Sequence, residues 1–191
     1  MVPKIEFRYS WIYDQFCKSE AKTKNYPTSA KIEKYMRTVE PLWRKEEKKI
    51  LTEMSRVTGI TWEEKNIICY FVGEHIPFSD PLTIPATRKK ERFVDILTHE
   101  MIHILFRQNK ANDKVIAWIS KTYPEEADRT KLHVPIHAIH KHILLKFFGQ
   151  KRLDAEIKSL KHLKDYRRSW EIVQEEGSEN IIKKFKEHLS K

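Results

Sequence analysis

Only two cysteines and four glycines occur in the 191 residues, and each shortage removes a class of protein. Cys17 and Cys69 are too few and too far apart for a Cys-x-x-Cys site or a disulfide framework, so a small disulfide-stapled scaffold is excluded. Cys69 lies in the apolar run 67–72 and reads as a small core residue. No apolar run approaches the length of a membrane span, and the opening Met-Val-Pro-Lys-Ile-Glu-Phe-Arg contains no stretch of signal-peptide length. The expectation is a cytoplasmic protein with no membrane partner. Internal repeats and low-complexity tracts are missing too, which argues against a solenoid.

What remains is rich in Leu, Ile, Lys and Glu, with charged residues at 34%. Together with the scarcity of glycine this predicts a mostly helical α+β protein with a small sheet. The length suits one domain with a real core and is too short for two large ones. The expected organisation is a single domain over 1–191, with N-terminal helices in 1–60, a core in 61–148 and C-terminal helices in 149–191. The net charge of +10 is spread over all three stretches. Such a spread fits a lysine-rich solvated surface, and it is also compatible with attraction to nucleic acid or another anion.

Residues 5–16, with Phe7, Trp11 and Phe16, read as a short aromatic-rich helix or an extended arm. Thr28 or Ser29 can cap a helical pattern over 29–58, which Pro41 either kinks or divides and Gly59 ends. The run 67–72 is the best strand. Leu82 and Ile84 alternate between Pro81 and Pro85, and prolines on both sides point to an edge strand. Thr87 can cap the next helix, which extends to about Arg107. A short helix over 112–121, capped by Asn112 or Asp113, stops at Tyr123-Pro124. A longer helix over 132–148 is closed by Gly149. Amphipathic helices fill the rest, the last one starting near Ser178.

The organising stretch is 93–106, which holds the pattern His99-Glu100-x-x-His103. Four residues make a little over one helical turn, so both imidazoles leave the helix on one side and can grip one ion. Val94, Leu97, Met101, Ile104 and Leu105 form an apolar stripe roughly opposite them. Neutral imidazole is a good ligand for Zn²⁺, and a catalytic zinc uses three protein ligands and leaves a fourth position to water. Glu100, beside the first histidine, is placed to act as the base that activates that water. With nine histidines in the chain the pattern also arises by chance; its position on a strongly periodic helix lends it weight.

A third ligand is sought in the helix over 132–148. His133, His137 and His140 share one face with Ile143, Leu144 and Phe147. His137 is the choice, being central on that face and beyond Pro135, where the helix should be regular. His133 and His140 are then candidates to support the ligands from behind or to touch the substrate. The acidic alternatives are Glu125 and Glu126. Asp95 could orient a ligand, and His162 and Tyr166 could reach the site as oxyanion stabilisers.

The motif helix resembles the active-site helix of the zincin metallopeptidases. The metzincin branch is disfavoured, because Phe106 and Asn109 stand where its Gly and third His would be. The layout is closer to minimal gluzincins and small microbial metallopeptidase-like proteins, whose third ligand is a later Glu. The spacing of Glu125 and Glu126 to Asp128 departs from that second motif. The resemblance implies one zinc ion, a peptide or protein substrate, and hydrolysis of the peptide bond with Glu100 as base. It also implies a substrate backbone added as a strand along Leu82, Thr83 and Ile84. Two other classes remain open: a basic helical nucleic-acid-binding protein, and a zincin fold kept as an inactive interaction module.

Overall fold

The computed structural model describes residues 1–108 and 111–190; Asn109, used above against the metzincin branch, lies outside the described residues. The first strand, β1 (Lys4–Tyr9), occupies what was read as a helix or arm. Its polar–apolar alternation, Ile5, Phe7 and Tyr9 against Lys4, Glu6 and Arg8, is the period of a half-buried strand. Only α1 (Trp11–Glu20) is helical there, capped by Ser10, whose hydroxyl accepts from Tyr13 N. One unbroken helix, α2 (Ser29–Thr58), contains Pro41. Gly59 follows it at φ +77, the left-handed conformation that glycine adopts at lowest cost. Then come β2 (Asn66–Val72), β3 (Phe78–Ser79) and β4 (Leu82–Pro85). A single 3-10 turn (Lys90–Arg92) leads into α3 (Phe93–Arg107), so Thr87 does not cap it. The remaining helices are α4 (Ala111–Thr122), α5 (Asp128–Phe147), α6 (Gln150–Leu160), α7 (Lys164–Glu176) and α8 (Ser178–Leu189). Asn112 and Asp113 sit in the first turn of α4 rather than capping it. The protein is therefore a mostly helical α+β fold with a small mixed sheet.

The chain divides into two compact units. The first, Met1–Leu51 with Glu64–Ile104, holds the sheet, in order β1-β2-β4-β3. β1 and β4 both pair with β2 in parallel, and β3 pairs with β4 antiparallel. This overturns the edge position expected for residues 82–84. Thr83 faces Tyr70 on one side and Phe78 on the other, and the four residues of β4 are all buried. The prolines are tolerated because the strand is so short: Pro81 precedes it, and Pro85 ends it beyond the two-residue reach of β3.

One face of the sheet carries an aromatic cluster that seats the start of α3. The Phe93 ring lies 5.9 Å from Phe71 and 5.7 Å from Phe7, and Tyr35 of α2 joins at 6.4 Å. At the outer strand β1, the Ile5 N–H donates to Glu47 Oε1 at 2.9 Å, and Trp43 Nε1 shares that acceptor at 3.0 Å. The free edge is thus tied to α2 instead of to another chain.

On α1, Asp14 is 2% exposed and collects three donors: Tyr9 OH at 3.1 Å, Tyr26 OH at 2.5 Å and the Gly73 N–H at 2.9 Å. A Cβ on Gly73 would run into the Tyr26 ring. Gly73→Ala should therefore push Tyr26 off Asp14 and cost about 2 kcal/mol, roughly a 5 °C fall in the unfolding midpoint. An unchanged thermal melt would show that this junction is not rigid.

The second unit, Thr52–Glu63 with Leu105–Lys191, is built round α5. Buried residues occur on every side of α5, among them Val134, Ile136, Ile139, Ile143 and Leu144. The contacts His133–Tyr166 and His137–Trp170 advance together, so α5 and α7 run parallel. Phe185 of α8 packs against Phe106 at 5.1 Å and Trp118 at 5.3 Å.

Glu53, 5% exposed, is held by Arg56 through two bonds, by Lys146 at 2.8 Å and by His142 at 2.7 Å. The hydrogen bonds from Arg56, reinforced by Lys146 and His142, hold its carboxyl far below the usual carboxylate range. A depressed folded-state pKa contributes stability that is present above the unfolded value of about 4.3 and lost as pH falls below it. Glu53→Gln should cost about 1–2 kcal/mol at neutral pH, where Arg56 and Lys146 lose their anion and His142 loses a charged hydrogen-bond partner. Urea titrations should show this deficit shrinking between about pH 5 and pH 3, and a deficit independent of pH would contradict the ion-pair account.

Candidate metal centre

The 15 residues of α3 are enclosed almost all round. Leu97, Met101, Ile102 and Leu105 are fully buried, and the histidine side is enclosed as well: His99 is 6% exposed, Glu100 7%, and His103 half-buried. The expected i, i+4 convergence is present. The two Nε2 atoms stand 3.3 Å apart, with ring centroids at 5.0 Å. Two nitrogens bound tetrahedrally to one zinc at about 2.0–2.1 Å would be separated by about 3.3 Å, so this pair already has the spacing of two ligands.

Among the described residues, the histidine that joins them is His133. One ligand nitrogen from each of His99, His103 and His133 lies within 4.8 Å of the other two, and this group could hold a metal ion. His133 is prepared for that role by its own helix. Its Nδ1 is 2.7 Å from the Arg129 carbonyl one turn earlier; a carbonyl only accepts, so the proton sits on Nδ1 and Nε2 carries the lone pair. Burial pushes the imidazole pKa down to about 4, against the weaker upward pull of that hydrogen bond. The ring is therefore neutral at pH 7, the form that ligates. The Tyr166 ring of α7 rests against it, centroids 4.2 Å apart. Three imidazoles are a donor set that suits zinc.

His137, expected as the third ligand, is outside this group. It is fully buried, its Nδ1 lies 2.7 Å from Ser169 Oγ, and its ring stacks on Trp170 at 4.3 Å and 10°. His133 takes the place beside the motif pair because α5 begins at Asp128 and is regular through Pro135, so His133 is as firmly placed as His137 and one turn nearer the start. His140 is fully buried and likewise outside the group.

The acidic alternatives are outside it too. Glu125 is exposed, and Glu126 accepts from Arg168 Nη2 at 2.8 Å. Asp95 is buried, Tyr166 half-buried against His133, and His162 exposed. Leu82, Thr83 and Ile84 do not present a free edge to a peptide; the Thr83 hydroxyl donates to the Pro81 carbonyl and meets Tyr13 OH at 2.8 Å. Ser169 and Trp170, which fix His137, were not anticipated from the sequence. Their one signal was the spacing of Tyr166 and Trp170, which matches that of His133 and His137.

Cys69 on β2 is fully buried. Burial, and then the charge of Glu100, push its thiol pKa well above the ordinary value, so it remains a neutral thiol. Comparison with protein-family models, with curated proteins and with solved structures finds no match for this chain.

Proposed function

We propose that the chain is a zinc-dependent metallopeptidase of the zincin type, in which His99, His103 and His133 hold one zinc ion and Glu100 is the base. The observation that carries this reading is the 3.3 Å approach of the His99 and His103 Nε2 atoms on a helix that also bears Glu100. The third imidazole, with its tautomer set by the Arg129 carbonyl, supports it. An all-histidine set distinguishes the proposal from the gluzincin arrangement.

Held by these three histidines, such an ion would supply Lewis acidity and a water of lowered pKa. Glu100 takes a proton from the attacking water at its carboxylate and returns it to the amine nitrogen as the C–N bond breaks. Its burial keeps that carboxylate from exchanging its proton freely with bulk solvent. The products are a carboxylic acid and an amine, so the substrate class is a peptide or protein. We place the protein in the cytoplasm, where two free buried cysteines are at home.

The reading is tested by stripping the protein with a chelator and following cleavage of a denatured protein substrate. Cleavage should stop on stripping and return with one equivalent of zinc. Cleavage by fully metal-free protein, or none after reloading, would refute it.

A further inference from the structure

Helix α1 is mounted with its apolar side outward. Asp14 and Cys17 are buried on it, whereas Trp11 and Ile12 are each 64% exposed and Phe16 is 68% exposed. Burial of apolar area alone would turn this helix about half way round. Asp14 prevents the turn through its bonds to Tyr9, Tyr26 and Gly73. Tyr13 adds a second pin, reaching Thr83 Oγ1 at 2.8 Å and packing edge-on against Tyr70 at 5.2 Å. The outward triad is therefore built in by the residues that fix the opposite face.

The chain that continues from it is basic. Lys18 flanks the triad and Lys22 and Lys24 follow the helix, with Glu20 the single acid between residues 15 and 24. A second copy carries the same whole-chain net charge of +10, so self-association works against an overall repulsion. An anionic partner does not. A tryptophan, an aliphatic residue and a phenylalanine beside lysines are what the headgroup region of a bilayer selects in a helix lying flat on it. We infer that α1 docks on an anionic bilayer surface, with Trp11, Ile12 and Phe16 entering the headgroup–acyl boundary and Lys18, Lys22 and Lys24 facing acidic headgroups. The expectation of no membrane partner rested on the lack of a span. No helix of the described residues is long and apolar enough to cross a membrane, and surface docking needs no crossing.

The test is co-sedimentation of the full chain with vesicles of phosphatidylcholine, with and without about one-third phosphatidylserine, at low and high salt. The protein should partition onto the anionic vesicles only and be released by salt. Trp11→Ser/Ile12→Ser/Phe16→Ser should abolish partition while the unfolding midpoint stays unchanged, because these side chains are exposed. Each of Lys18→Gln, Lys22→Gln and Lys24→Gln should lower partition by about fivefold. Equal partition onto neutral vesicles, no partition at low salt, or a triple variant that binds like the parent would overturn the inference. So would a dimer, or a complex with an acidic protein, that the triple variant abolishes in a protein that ignores vesicles.

Discussion

If the proposed function holds, Glu100→Gln should leave the zinc content of the protein unchanged and lower turnover of a peptide substrate by about 10²–10⁴-fold, the usual worth of a positioned general base. Glutamine keeps the shape of the side chain on α3 and loses the ability to take a proton. Glu100 is only 7% exposed, so bulk water is poorly placed to stand in as base. His99 and His103 keep their 3.3 Å approach, because that spacing comes from the helix and not from the carboxylate. Metal analysis alongside single-turnover assays separates the outcomes. Lost turnover with retained zinc assigns Glu100 to the chemistry; retained turnover removes it, and a lost ion makes it a structural support.

His133→Ala and His137→Ala should fail in opposite ways. His133 points a lone-paired Nε2 from a ring fixed by Arg129 and Tyr166, so its removal should weaken zinc binding by at least about a hundredfold. Loss of a hydrogen-bond partner behind a ligand already costs about 10–100-fold, and a ligand is worth more. His137 fills the space between Ser169 and Trp170, so its truncation should leave zinc affinity within about tenfold while lowering stability by about 2–3 kcal/mol through the cavity beside the indole. Competition titrations with a zinc indicator, paired with urea unfolding, read both quantities. The reverse pattern would return the third-ligand role to His137.

The legible parts of the sequence were those with local causes. The i, i+4 spacing of His99 and His103 follows from helical geometry alone, and the 67–72 strand and the stop at Gly59 follow from residue type. The third member of the histidine group was not legible, because the choice between His133 and His137 turns on where a proline-containing helix begins. A proline near the start of a pattern reads as a boundary, and here Pro135 lies inside α5. β4 was misread for a related reason. Pro81 and Pro85 do limit the ladder, but only pairing with a two-residue strand reveals that Leu82–Pro85 is not the edge. In β1, the alternation from Lys4 to Tyr9 was present and was masked by the helix-like aromatic spacing of the following α1. The orientation of α1 lay beyond local pattern, since its hydrophobic periodicity indicates the opposite face from the one that Asp14 buries.

The most direct test of the account is X-ray absorption at the zinc edge on protein purified without added metal. One zinc per chain, with about three imidazole nitrogens and one oxygen near 2.0–2.1 Å and no sulfur, is the expected spectrum. Protein that carries no stoichiometric metal and takes up none on reloading, or a zinc held by sulfur, would contradict it.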